Sequence, residues 1–138
     1  FGYIKTFGGR KCRFDKWEIA EWNNGKFTAP MSKADAEAAY FKKYPEATKP
    51  NIRRAMTYKA LNKLIQGSAA DMTKQAMLNL YREGIVPHIQ IHDELDISVE
   101  SGSNQHKKII EIMEQAVTLK IPNKVDFESG DNWGQING

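Results

Sequence analysis

The sequence predicts an α+β fold in which helices back an antiparallel sheet. Three observations predict it. Short alternating apolar segments occur near the start of the chain and again past its middle, separated by turn residues as in hairpins. Between them, a long stretch repeats apolar residues at helical spacing. A second amphipathic stretch and one more extended segment come after the second hairpin. The order is therefore strands, helix, hairpin, helix, strand, with helices and strands segregated along the chain.

Residues Tyr3 to Phe7 read as a strand, Gly8-Gly9 as its turn, and Arg10 to Phe14 as the returning strand. Trp17 to Trp22 alternate loosely and run into Asn23-Asn24-Gly25, a strong turn signal. Ser32 has the character of a helix N-cap. Asp35 stands in a near capping-box position behind it, and Ala34 to Tyr44 are good helix formers that Pro45 and Pro50 terminate. The longest predicted helix runs from Ile52 to Arg82. Its apolar stripe of Leu61, Ile65, Ser68, Met72 and Ala76 is assigned to the core. Gly84 is placed to end that helix as a C′ residue, with Pro87 just beyond. Next come a strand over His88 to His92, an interruption at Asp93-Glu94 and a second strand over Leu95 to Val99. Asn104 to Leu119 form an amphipathic helix with Ile109, Ile112, Met113, Ala116 and Val117 inward, and Lys124 to Glu128 form a last strand.

The chain of 138 residues is long enough for one modest core, and 41% hydrophobic with 27% charged residues is a globular composition. No apolar run approaches a membrane span, so no membrane partner is expected. Cys12 is the only cysteine, which excludes an internal disulfide framework and makes a reducing, cytoplasmic setting the expectation. The first residue is Phe1 rather than methionine, and the chain is expected to be a piece of something longer. Net charge is only +3. The stretch from Lys49 to Lys63 nevertheless holds five basic residues (Lys49, Arg53, Arg54, Lys59 and Lys63) and no acidic one. Such a run neutralises phosphates or forms a solvated face, and charge alone leaves both readings open.

Two features bear on chemistry. His92-Asp93-Glu94 puts adjacent carboxylates at a hairpin tip. They repel one another unless a positive partner is near, and a hard cation such as Mg²⁺ would supply it. An exposed acidic tip is the plain alternative. Second, Lys59, Asn62 and Gln66 share one helix face. Their amides suit base edges or sugars, and the small run Gly67-Ser68-Ala69-Ala70 admits a close neighbour. A polar helix face with a small-residue packing seam explains the same pattern.

Together these segments carry a resemblance. Arg53-Arg54-Ala55 through Ile65-Gln66-Gly67-Ser68-Ala69-Ala70-Asp71 to Met77 resembles the long palm helix of family A DNA polymerases, the bacterial polymerase I-like family. Ile89 to Leu95 looks like that family's motif C hairpin. Phe1 to Arg10 is similar to the segment just after its fingers, and Gly130-Asp131-Asn132-Trp133 to its C-terminal ending. The stretch Tyr58 to Gln66 resembles bacteriophage members most. The resemblance covers most of the chain, with four landmarks in the family's order. It implies that residues 1–138 form the C-terminal part of a palm, an antiparallel sheet with the motif C hairpin backed by long helices. It also implies an insertion at about residues 15–51.

The resemblance assigns roles. Asp93 matches the metal-binding aspartate and Glu94 its secondary carboxylate. His92 matches the histidine beside the primer 3′ end. Asn62, Gln66 and Gln90 match residues that contact the duplex near its minor groove, where shared acceptors allow sequence-neutral contact. Lys59, Arg53 and Arg54 complete the expected primer-template contacts, Lys59 standing beside Tyr58, where the family carries an arginine. The expected cofactor is Mg²⁺ in a two-metal site. The expected partners are primer-template DNA, a deoxynucleoside triphosphate and the rest of the polymerase, in the same or another chain. That rest comprises the fingers, the thumb and the remaining palm with its first aspartate, none of which is found in this sequence. Residues Asp15 to Asn51 match nothing in the family, and Trp17, Trp22, Tyr40 and Phe41 within them are read as packing rather than as a cover over DNA. The implied activity is nucleotidyl transfer to a primer end, absent from the isolated chain. The alternative is a non-catalytic DNA-binding module, against which the intact His92-Asp93-Glu94 argues. A stand-alone hydrolase lacks further carboxylate or histidine clusters to complete its site.

Overall fold

The structure is a computed structural model that describes residues 2–21 and 28–136. Mixed α and β elements bear out the α+β class. Among the described residues the strands form three separate antiparallel pairs rather than one sheet. The chain divides into two compact units, Phe1–Ser68 and Ala69–Gly138.

In the first unit, β1 (Tyr3–Lys5) pairs with β2 (Lys11–Arg13), a hairpin where the sequence predicts one. The register Tyr3↔Arg13 and Lys5↔Lys11 differs from that of a two-residue Gly8-Gly9 turn: the Thr6 amide donates to the Arg10 carbonyl at 2.8 Å, so the loop is Phe7-Gly8-Gly9, with Gly9 at φ 88°. The hairpin rests on the start of the long helix. Arg10 Nη2 donates to the Gly67 carbonyl at 2.8 Å, and the Phe7 amide donates to Ser68 Oγ at 3.2 Å. A Cβ at Gly67 would lie 2.8 Å from Thr6 Cγ2, so the small residue permits this approach. Next, β3 (Trp17–Ile19) pairs with β4 (Ile52–Arg54), and α1 (Lys33–Lys43) packs against both. Ser32 caps α1 as expected, its Oγ accepting from the Asp35 amide at 3.1 Å. The Asn23-Asn24-Gly25 turn and Trp22 lie outside the described residues. The described residues between 15 and 51 thus include a strand and a helix, with Ile19 and Ala36 buried. Lys43 Nζ and the Tyr44 hydroxyl both donate to Glu21 Oε2, at 2.7 and 2.9 Å. The Lys43 bond holds the Glu21 carboxyl below the usual range, and Glu21 in turn raises the Lys43 amine. A depressed carboxylate stabilises the fold above its unfolded pKa, and that contribution is lost as pH falls through the folded value.

The long helix starts later than its periodicity predicts. Ile52 to Arg54 are a strand because Ile52 pairs with Ile19 across the β3–β4 ladder. Met56, at φ 59°, then breaks the backbone before a 3₁₀ turn over Thr57–Lys59. Helix α2 begins directly after it, at Ala60–Arg82. Its buried residues are Thr73, Ala76 and Leu80, whereas Leu61 and Ile65 are 67% and 60% exposed. The N-terminal half of the predicted core stripe is therefore not core. There the packed side of the helix is Gly67-Ser68, which the β1–β2 hairpin occupies.

In the second unit, α2 ends in a Schellman cap. Gly84 has φ 75°, its amide donates to Tyr81 O at 3.0 Å, and the Ile85 amide donates to Leu80 O at 2.9 Å. Ile85 is thereby buried with Leu80 and Ile109, and Leu95, Ile97, Ile112 and Met113 pack around them. Strands β5 (Ile89–Ile91) and β6 (Glu94–Asp96) are the predicted hairpin, shorter than expected. Helix α3 covers Gln105–Glu114 and stops before Ala116 and Val117. The predicted strand at 124–128 is irregular. Among the described residues no strand pairs with it, its Val125 amide bonds Glu114 Oε1 at 3.2 Å, and Phe127 stacks on His106 at 5.1 Å between ring centroids. On denaturation, Leu80→Ala should cost about 2–5 kcal/mol, because it empties a fully buried site. Leu61→Ala should stay within about 0.5 kcal/mol, as exposed positions do.

Candidate nucleic-acid and metal site

The β5–β6 hairpin has a two-residue turn, His92-Asp93, because Ile91 pairs with Glu94, Gln90 with Leu95 and Ile89 with Asp96. Glu94 is thus the first strand residue rather than part of the tip. Only the first of the two turn residues, His92, has positive φ, at 53°. That is the pattern of a II′ rather than a I′ turn, and the position is usually glycine. A side chain in the left-handed region costs on the order of 1–2 kcal/mol. Backbone strain of this kind persists where the surrounding structure holds it, and it concentrates at functional sites. Gln90 Nε2 donates to the His92 carbonyl at 3.0 Å across the turn.

Strand alternation gives the hairpin two faces. Leu95 and Ile97 turn to the Leu80–Ile85–Ile109 core, and Gln90 shares the Leu95 face. Ile89, Ile91, Glu94 and Asp96 lie on the other face. Asp93 and Glu94 are exposed, and among the described residues neither has a hydrogen-bond or ion-pair partner. Asp96, by its pattern an ordinary strand residue, has its Oδ2 buried without a hydrogen-bond partner. Alternation from Glu94 is the signal that places it on the carboxylate face. Hard, unpartnered oxygens fit a divalent cation such as Mg²⁺. They fit as part of a site only: among the described residues no cluster of three or more His, Cys, Asp or Glu is placed to hold a metal. Two adjacent carboxylates do not fill an octahedral shell.

The other predicted contacts lie in the first unit. Lys59, Asn62 and Gln66 are exposed along the start of the helix, and Lys59 leans on the Tyr58 ring at 5.7 Å. The basic run does not present one continuous positive face. Arg53 Nε bonds the buried Glu18 carboxylate at 2.8 Å. Arg54 Nη1 bonds the Phe14 carbonyl at 2.7 Å, and its guanidinium lies over the Trp17 ring at 4.8 Å. Lys63 lies over the Phe14 ring at 5.6 Å. Arg53 and Arg54 therefore tie β4 to its neighbours, a use that their place in a basic run does not reveal.

The family model for DNA polymerase family A matches residues 2–135. The chain belongs to that family. A DNA-directed DNA polymerase of Pseudomonas phage M6 is 34% identical over 137 residues, 99% of this chain and 16% of the relative. DNA polymerase I of Bacillus subtilis is 38% identical, over 95% of this chain and 15% of its own length. DNA polymerase I of Geobacillus stearothermophilus is 40% identical over 60% of this chain. No solved structure matches it significantly. This family A chain thus spans less than a fifth of the length of the phage and Bacillus subtilis relatives.

Arg53→Ala should lower stability by about 1–3 kcal/mol, since it leaves a buried carboxylate without its donor. Thermal melting compared with primer-template affinity separates the roles. The loss should appear in melting, with affinity changing less than for Asn62→Ala or Gln66→Ala.

Proposed function

We propose that this chain is the C-terminal palm portion of a DNA-directed DNA polymerase, working with fingers, thumb and the remaining palm supplied by the same or another chain. The observation that carries the reading is Asp93: an exposed carboxylate, without a partner among the described residues, on a strained two-residue turn that its neighbours hold in place. Membership of family A supports it. In this reading Asp93 is a ligand of the catalytic Mg²⁺, and Glu94, set back in β6, contributes secondarily. Bound magnesium would supply charge neutralisation where the primer oxygen meets the nucleotide phosphate. The chain's own residues hold and orient the DNA. His92 lies beside the primer end, while Asn62, Gln66 and Gln90 donate and accept hydrogen bonds along the minor groove. Lys59 neutralises backbone phosphate. Arg53 and Arg54, engaged by Glu18 and by the Phe14 carbonyl, act on the duplex through the strand they hold in place and through whatever charge those bonds leave unneutralised. Residues 15–51 are an insertion within this palm portion.

In the assembled polymerase, Asp93→Asn should lower single-turnover nucleotide addition by roughly 10²–10³-fold or more, because the charge that orients the cation is removed. Glu94→Gln should lose less. Primer-template affinity should hold or rise, since one negative charge near phosphate has gone. The isolated 138-residue chain should extend no primer. Primer extension titrated with Mg²⁺ and Mn²⁺ measures all of these. Near-normal extension by Asp93→Asn would replace this reading with a non-catalytic DNA-binding module.

A further inference from the structure

We propose that Gln90 is a positioning residue for Asp93: its side-chain amide clasps the turn and fixes the peptide from which the Asp93 carboxylate projects. The inference rests on the reading of Asp93 as a metal ligand. Gln90 Nε2 donates to the His92 carbonyl at 3.0 Å. That carbonyl and the Asp93 amide belong to one planar peptide, so a bond to the first constrains the second. The peptide is the central one of the turn. Flipping it would convert a II′ turn into a I′ turn, which needs positive φ at both central residues. His92 already has φ 53°, and Asp93 does not share a positive φ. A flip would therefore put a second side chain in the left-handed region and swing the Asp93 carboxylate away. The turn contains no glycine to favour its own geometry.

The clasp reaches the tip from an anchored position. Gln90 pairs with Leu95, and Leu95 packs against the Leu80–Ile85–Ile109 core. The next pair, Ile91 with Glu94, is exposed and lends the tip no such support. The bond thus carries the rigidity of the core one step further, to the residue that needs it. A glutamine amide has two N–H donors and one acceptor oxygen, so the clasp leaves a donor and the oxygen available to DNA. Positioning and duplex contact are compatible in one side chain.

Gln90→Met keeps the length of the side chain and removes the donor. The test uses the whole polymerase that contains this chain. Without metal or DNA, deuterium uptake over residues 89–96 should quicken in Gln90→Met. Single-turnover addition should slow about tenfold or more, as small misplacements of reacting groups do, and the Mg²⁺ needed for half-maximal rate should rise. Primer-template affinity should move less than the rate. Unchanged uptake and rate, with the loss confined to DNA affinity, would make Gln90 a duplex contact only and overturn the clasp. A double-mutant cycle adds a second check. In a His92→Asn background, where the side chain suits the left-handed region better, the rate penalty of Gln90→Met should shrink. An undiminished penalty would overturn action through the turn. Should Asp93→Asn prove active, the metal-ligand reading fails by itself, and the uptake experiment still decides whether the clasp exists.

Discussion

The second unit depends on how α2 is stopped. A helix end leaves carbonyls without partners, and a left-handed residue there lets the next amides turn back to them. Gly84 supplies that conformation, and the Ile85 amide returns to the Leu80 carbonyl. The reversal also buries the Ile85 side chain against Leu80, so the hydrogen-bond pattern and the core are set by the same event. Strand β5 starts five residues past Gly84, and the β6 residue Leu95 closes with Ile97 over the same cluster on the face opposite Glu94 and Asp96. One capping glycine therefore fixes the direction of the chain into the hairpin. The packing it creates determines which face of the hairpin is buried, and hence where Glu94 and Asp96 stand.

The first unit is organised by polar bonds to a greater degree. Phe14, Ile19, Ala36 and Ala55 are buried, and only the first is a large aromatic. Around them, buried Glu18 meets Arg53, and the Phe14 carbonyl meets Arg54. A buried carboxylate is tolerated only when a donor reaches it, so Arg53 is required by Glu18 as much as by any outside anion. This is why a basic run read along the sequence overstates the positive face. Two of its members are turned toward β3 and the end of β2, while Lys59 stays on the surface.

Local signals made much of this legible. Ser32 with Asp35, Gly84 and the alternation on either side of Asp93 each act over a few residues, and each is found where the sequence placed it, as is the hairpin around Gly8-Gly9, its loop one residue longer than the two glycines. The misread elements depended on partners distant in sequence. Ile52 to Arg54 continue the helical spacing of residues 55–82 backwards, but pairing with Trp17–Ile19 makes them a strand. Leu61 and Ile65 continue the apolar stripe of α2, but the element packed there meets Gly67 and Ser68 instead. Lys124 to Glu128 alternate as a strand does, but a glutamate side chain takes the Val125 amide. The adjacent carboxylates at the hairpin were legible as a pattern. Their separation into a turn residue and a strand residue was not, because the two-residue loop is fixed by the pairing of Ile91 with Glu94.

That separation bears on how such a tip can exist at all. Asp93 and Glu94 are neighbours in sequence, yet one belongs to the turn and the other starts β6. Both are exposed, so solvent screens their repulsion and the fold needs no cation to form the hairpin. The strain lies instead in the backbone at His92, and the side-chain bond from Gln90 offsets part of it. If Asp93 is a metal ligand, the demand for positive charge arises only when a phosphate approaches and displaces that solvent. Repulsion between phosphate and carboxylate then rises as the local dielectric falls. A divalent cation held by Asp93 would offset that repulsion. The hairpin would thus be shaped before its metal arrives, with its core-facing side supplying stability and its tip left unneutralised for the phosphate-bound cation.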